Sequence, residues 1–142
     1  MNVFNIERAF ARKKKENWPY LYWAIDLHDT VFKGHYTANQ ELQLYPGAEE
    51  VLALLTDRED MKLIAYSSSH YIDFANIGRW LKVNHQIRFS YFNENPECSS
   101  TSLASFEDKF YFNILLDDKA GFVGETDWLL IKEELIRIGE FK

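Results

Sequence analysis

Apolar and polar positions follow two rhythms along this chain. In the first, short runs are apolar almost without interruption and then stop abruptly. Leu21-Tyr22-Trp23-Ala24-Ile25 rises to Asp26, and Leu27-His28-Asp29-Thr30-Val31 follows. Met61-Lys62-Leu63-Ile64-Ala65-Tyr66 ends in Ser67-Ser68-Ser69-His70, and Phe112-Asn113-Ile114-Leu115-Leu116 ends in Asp117-Asp118. Runs that are apolar on both faces read as strands buried inside a parallel sheet. Ile87-Arg88-Phe89-Ser90-Tyr91-Phe92 is a further strand, and the last run extends back to Tyr111.

The second rhythm is helical. Residues 3–16 carry Val3, Phe4, Ile6, Ala9, Phe10 and Ala11, with Asn2 in capping position and Trp18-Pro19 as the stop. Pro46-Gly47 breaks the chain, and a helix with Glu49 and Glu50 in its first turn runs to near Asp57-Arg58. Ile72, Phe74, Ile77, Trp80 and Leu81 mark a helix over 71–82, with His70 at its start. Thr126-Asp127-Trp128 opens a last helix with Leu129, Ile131, Leu135, Ile136 and Ile138 apolar. Residues 31–46, with Gly34, read as a hairpin-like flap or loop insertion, and 93–105 as a polar loop. Alternating strands and helices predict an α/β fold: a Rossmann-like three-layer sandwich, its sheet mainly parallel, helices on both faces, crossovers right-handed. The whole of 1–142 forms one domain, with residues 1–18 as an N-terminal helix.

Composition narrows this picture. Apolar residues make up 46% and aromatics 16%, enough for one core and too many for disorder. The net charge of −6 does not favour a nucleic-acid backbone as partner, which calls for a basic face. Cys98 is the only cysteine, so an intrachain disulfide and a cysteine-based zinc site are excluded, and a reducing cytoplasm is expected. No apolar stretch approaches the roughly 20 residues of a membrane span. The start is charged rather than signal-like, and Arg12-Lys13-Lys14-Lys15 reads as a solvated helix face.

The candidate chemistry falls at the predicted strand ends. Taken singly, an Asp after a strand is a turn former, a Ser is a loop residue and a Lys is a surface charge. Paired carboxylates on one rim repel each other unless a cation sits among them. Taken in order, the set has a purpose. Asp26 could attack phosphorus and form an aspartyl-phosphate. Asp117 and Asp118 could join it around Mg²⁺, which prefers oxygen ligands. Ser67 and Lys109 could hold phosphate oxygens as charge shifts. A phospho-receiver domain is the wrong order, because strand three ends in Asn93 without an Asp.

These residues resemble the haloacid-dehalogenase-like (HAD) superfamily. Its first motif, Asp-x-Asp-x-(Thr/Val), is matched by Asp26-Leu27-His28-Asp29-Thr30. Its second, a strand ending in Ser or Thr, is matched by Leu63-Ile64-Ala65-Tyr66-Ser67, its motif lysine by Lys109, and its acidic strand end by Ile114-Leu115-Leu116-Asp117-Asp118. The likeness covers about residues 20–137, and the tail Asp117-Asp118-Lys119 through Asp127-Trp128 is similar to small capless phage and bacterial members. It implies a Mg²⁺-dependent phosphohydrolase (phosphatase). Asp26 is then the nucleophile, Ser67, Ser68 and Lys109 hold phosphate, and Asp26, the backbone of His28, Asp117 and Asp118 hold the metal. Without a cap the site stays open, which implies substrates that bring their own bulk, such as a nucleic-acid end or a protein, or a partner subunit that closes the site; the substrate expected is a phosphorylated small molecule or an exposed phosphate on a macromolecule. The family's acid/base Asp two residues after the nucleophile is His28 here, and imidazole can serve that role near neutral pH. The alternative function is a HAD-like binding or regulatory protein with altered or lost catalysis, because His28-Asp29 replaces the usual pattern.

Overall fold

The computed structural model describes residues 3–34, 42–106 and 109–141. Among these residues one sheet forms, of β1 (Leu21–Ile25), β2 (Met61–Ala65), β3 (Tyr91–Phe92) and β4 (Ile114–Leu116), all parallel in the order β3-β2-β1-β4. All five residues of β1 are buried, as a central strand with neighbours on both edges requires.

Register positions the rim of the sheet. Ile25 lies opposite Ala65 on one side and opposite Leu116 on the other, so β1, β2 and β4 end in one row. The ladder continues one residue further, with Asp26 N donating to Leu116 O at 2.9 Å and Tyr66 N to Ile25 O at 2.9 Å. Asp26, Tyr66 and Asp117 therefore start three adjacent exits from the sheet, the place where open α/β sheets bind ligands.

Among the described residues, four helices carry the apolar stripes: α1 (Ile6–Lys15), α2 (Ala48–Asp57), α3 (Tyr71–His85) and α4 (Gly124–Arg137). Their inward residues recur at helical spacing, as with Ile6, Ala9 and Phe10, or Val51, Leu52 and Leu55. They join one core with the alternate strand positions Leu21, Trp23, Ile25, Met61, Leu63 and Ala65. The other face of the sheet, with Tyr22 and Lys62, is covered by residues 93–106 and 109–113. That segment is pinned by Tyr22 Oη donating to Glu97 at 3.0 Å, by Tyr91 Oη on the same carboxylate, and by packing of the Tyr22 and Tyr111 rings. The far layer of the sandwich is thus irregular, as a segment rich in Ser, Asn and Glu would make it.

The edge strands are shorter than their apolar runs. Only Tyr91–Phe92 of the expected 87–92 pairs as β3; Ile87 points into the core and Arg88 N donates to Thr56 Oγ1 at 3.1 Å. β4 begins at Ile114 because Asn113 uses its side chain as well, accepting Tyr22 N on Oδ1 at 2.8 Å. α1 is preceded by a 3₁₀ turn, Val3–Asn5, and α3 runs on to His85, with His70 as its N-cap. The two ends of the 31–46 segment run antiparallel, Phe32 bridging Leu44 and Tyr45 N donating to Val31 O at 3.0 Å. Asn2, and residues 35–41 of that segment with His35, lie outside the described residues. Tyr45 then packs onto α4 at Gly124, where a Cβ would fall 2.4 Å from the Tyr45 ring.

Candidate active site

A cleft of about 580 Å³ opens over the row of strand ends. It is lined by Asp26 and His28 after β1, Tyr66 to Ser69 after β2, Asn93 after β3, and Asp117 to Lys119 after β4. Asp29 and Phe110 complete it.

Asp26, Asp117 and Asp118 converge there, each offering a carboxylate oxygen within 4.8 Å of the others. Burial, then the neighbouring Asp118 carboxyl and the Asp117 charge, push the Asp26 carboxyl up to about 7, against an opposing hydrogen bond from Thr30. Asp117 is raised as well, by burial and by Asp118, while the backbone N–H of Lys119 opposes the shift. Acids held this close favour a cation among them, and an all-oxygen donor set is what a hard divalent ion takes. The residues present therefore fit Mg²⁺.

Thr30 ties this cluster together. Its hydroxyl donates to Asp26 Oδ2 at 3.1 Å and accepts Asp118 N at 3.1 Å, and its carbonyl accepts the Trp128 indole N–H at 2.7 Å. One buried threonine thus joins the exits of β1 and β4 to α4. Asp127 secures the start of α4, its Oδ2 accepting Val123 N at 2.7 Å.

The hydroxyl side is a linked chain. Ser67 Oγ donates to Ser69 Oγ at 3.1 Å, and Ser69 Oγ lies 2.8 Å from His28 Nε2. His28 Nδ1 is 3.1 Å from Gly34 O. A carbonyl only accepts, so Nδ1 carries a proton, and in the neutral imidazole Nε2 accepts from Ser69. Asp29 shapes the turn beneath: its φ is 61°, its N–H donates to Phe32 O at 2.8 Å, and its carboxylate accepts Gly34 N at 3.0 Å. Asn93 clamps the backbone of Ser67, accepting its N–H at 2.9 Å and donating to its carbonyl.

The structure brings Asp26, His28, Ser67, Ser68, Asp117 and Asp118 to one cleft. Lys109 is exposed and is not among the lining residues, although its neighbour Phe110 is; the lysine that lines the cleft is Lys119. Lys109 precedes the strand, as the sequence places it, and β4 starts only at Ile114, so Lys109 lies in the irregular segment ahead of it. The His28 imidazole is directed at Ser69 and Gly34, and the side-chain acid cluster consists of the three aspartates. Sequence reasoning missed Ser69, Asn93 and the joining role of Thr30. The run of three serines and the threonine of the first motif were the available signals.

A protein described as conserved, coded by a locus of Bacteroides thetaiotaomicron, has a solved structure similar to this one. The TM-score is 0.61 at 23% identity, over 83% of this chain and 90% of that one. The likeness shows a shared α/β parallel-sheet fold. No protein-family model matches the chain, and no curated protein sequence does. Among the described residues, no helix is long and apolar enough to cross a membrane.

Proposed function

We propose that this protein is a HAD-type, Mg²⁺-dependent phosphomonoester hydrolase that acts through an aspartyl-phosphate on Asp26. The observation that carries the reading is the convergence of Asp26, Asp117 and Asp118 in one cleft with the Ser67 hydroxyl. Asp26, Asp117 and Asp118 would hold the metal, which when bound supplies the positive charge that offsets repulsion between carboxylates and a phosphate dianion. An Asp26 carboxylate oxygen attacks phosphorus, and the bond from phosphorus to the leaving-group oxygen breaks. That oxygen takes a proton from Nε2 of the His28 imidazolium, which leaves the neutral ring with its Nδ1–H still on Gly34 O. A water then gives a proton back to His28 and attacks the phosphorus, releasing inorganic phosphate and restoring the carboxylate. Ser67 and Ser68 donate to the phosphate oxygens, and Lys119 is the ammonium best situated to assist. The substrate is a small phosphorylated molecule or an exposed phosphate on a macromolecule, and the lone Cys98 fits a cytoplasmic setting.

The test is turnover of phosphomonoesters with Mg²⁺. Wild type is expected to be active, with Asp26→Asn reduced by at least about 10³-fold and Lys119→Ala weakened more than Lys109→Ala. Equal rates for wild type and Asp26→Asn overturn the reading.

One observation favours a second reading. Both ring nitrogens of His28 contact protein groups, as an anchored structural residue would. A binding or regulatory protein on this fold is stabilised by a phosphate analogue with Mg²⁺ without turnover. Turnover that His28→Ala abolishes rules it out.

A further inference from the structure

We propose that the cleft takes a phosphomonoester whose leaving group carries a flat aromatic ring, and that Tyr66 and Phe110 form the surface that ring lies against. The proposal rests on the phosphohydrolase reading and specifies its substrate class. Tyr66 is the first residue beyond β2, fixed by its backbone bond to Ile25 O, and it immediately precedes Ser67. The aromatic surface and the hydroxyl assigned to phosphate thus leave the same strand end one residue apart. The Tyr66 side chain is 39% exposed, and the partly buried Phe110 ring stands 5.9 Å from it at 54°. Two inclined rings make an open wedge. Phe110 is backed in turn by Phe112, their ring centroids 5.7 Å apart at 61°.

The rest of the lining argues that this wedge, and not charge, selects the leaving group. Among the described lining residues, Asp26, Asp29, Asp117 and Asp118 face one standing cation, Lys119. Even with a divalent ion bound and His28 protonated, the lining holds no surplus positive charge, so a leaving group carrying further phosphates or carboxylates finds no cation to pair with. The Asn93 amide has both its atoms occupied by the backbone of Ser67 and has little left to read a polar group. A neutral ring gains apolar burial and edge or face contact with the two aromatics. The shared chemistry is a planar ring on an alkyl phosphate; its source is a nucleobase or a simple aryl group.

The experiment compares kcat/KM within pairs whose leaving oxygens have matched reactivity. One pair is a nucleoside 5′-monophosphate against ribose 5-phosphate, and the other is 2-phenylethyl phosphate against ethyl phosphate, all with Mg²⁺. Wild type is expected to favour the ring-bearing member of at least one pair by about tenfold or more. The pair with the larger ratio identifies the source of the ring. Tyr66→Ala and Phe110→Ala are expected to bring that ratio close to one, and Tyr66→Phe to retain it, with melting temperatures confirming that the variants fold. A wild-type ratio near one in both pairs overturns the proposal while leaving the phosphohydrolase reading standing. So does an equal loss for both members in Tyr66→Ala. No turnover of any of the four substrates overturns the phosphohydrolase reading, and this proposal with it.

Discussion

Thr30 is fully buried, and each of its polar atoms is spoken for. A hydroxyl can donate once and accept as well, which is what this position needs: a donor for the Asp26 carboxylate and an acceptor for the Asp118 N–H. Valine has nearly the same shape and neither capacity. Thr30→Val is therefore expected to cost about 1–3 kcal/mol, because it leaves the Asp118 N–H without its partner in a half-closed site. Urea unfolding checks it: a midpoint equal to that of wild type would mean water replaces the hydroxyl at no cost. His28 and Asp29 show a related economy. They grip the carbonyl and the N–H of the same residue, Gly34, so the turn after β1 is held from both sides.

At the scale of elements, the flap base, α4 and the acid cluster form one mechanical unit. Tyr45 lies against Gly124 at the start of α4, and Trp128 of the same helix bonds to Thr30. Gly124→Ala drives a methyl into the Tyr45 ring and is expected to destabilise by about 1–3 kcal/mol. In a Tyr45→Ala background most of that penalty should disappear, a coupling that a double-mutant cycle of unfolding midpoints measures. Additive losses would show that the ring moves aside freely. β1 and β2 were readable in the sequence because a strand buried on both faces must be apolar throughout, and the acidic end of β4 was readable because paired Asp after such a run is costly without a reason. The shortness of β3 and β4 was not readable. Ile87 and Asn113 look like strand residues in any local window, but Ile87 turns into the core next to the bond from Arg88 N to Thr56, and Asn113 bonds Tyr22 N through its side chain. The same holds for Lys119 against Lys109 and for Ser69. Which lysine or serine reaches a cleft is decided by contacts between segments far apart in the chain.

For the whole molecule, a charge network fastens α1 to the far end of the chain. Asp60 accepts from Arg58 at 2.8 Å and pairs with Lys13 at 3.1 Å, while Arg58 also reaches Glu140 at 2.9 Å. Burial works to raise the Asp60 pKa, yet the hydrogen bonds and charges of Arg58 and Lys13 outweigh it and hold the carboxyl below its ordinary 3.8. A depressed carboxyl stabilises the fold above the unfolded pKa and loses that contribution as pH falls through the lower folded value. The difference in unfolding free energy between wild type and Asp60→Asn should therefore be steady near neutral pH, at about 1 kcal/mol after solvent screening. It should shrink below about pH 4. A gap that widens in acid would assign Asp60 no such role.

The pairing of β1 with β4 has a consequence for how the protein comes into being. Asp26 leaves the ribosome ninety or so residues ahead of the strand that flanks it and of the two aspartates beside it. Until then the nascent chain can pair β1 with β2 and bury much of its core, while Asp26 stands as an isolated carboxylate. Contacts this distant in sequence form late. Under the proposed function, affinity for a divalent cation would thus be withheld from partly made chains and would arise only when β4 docks, so that metal uptake would close folding rather than seed it.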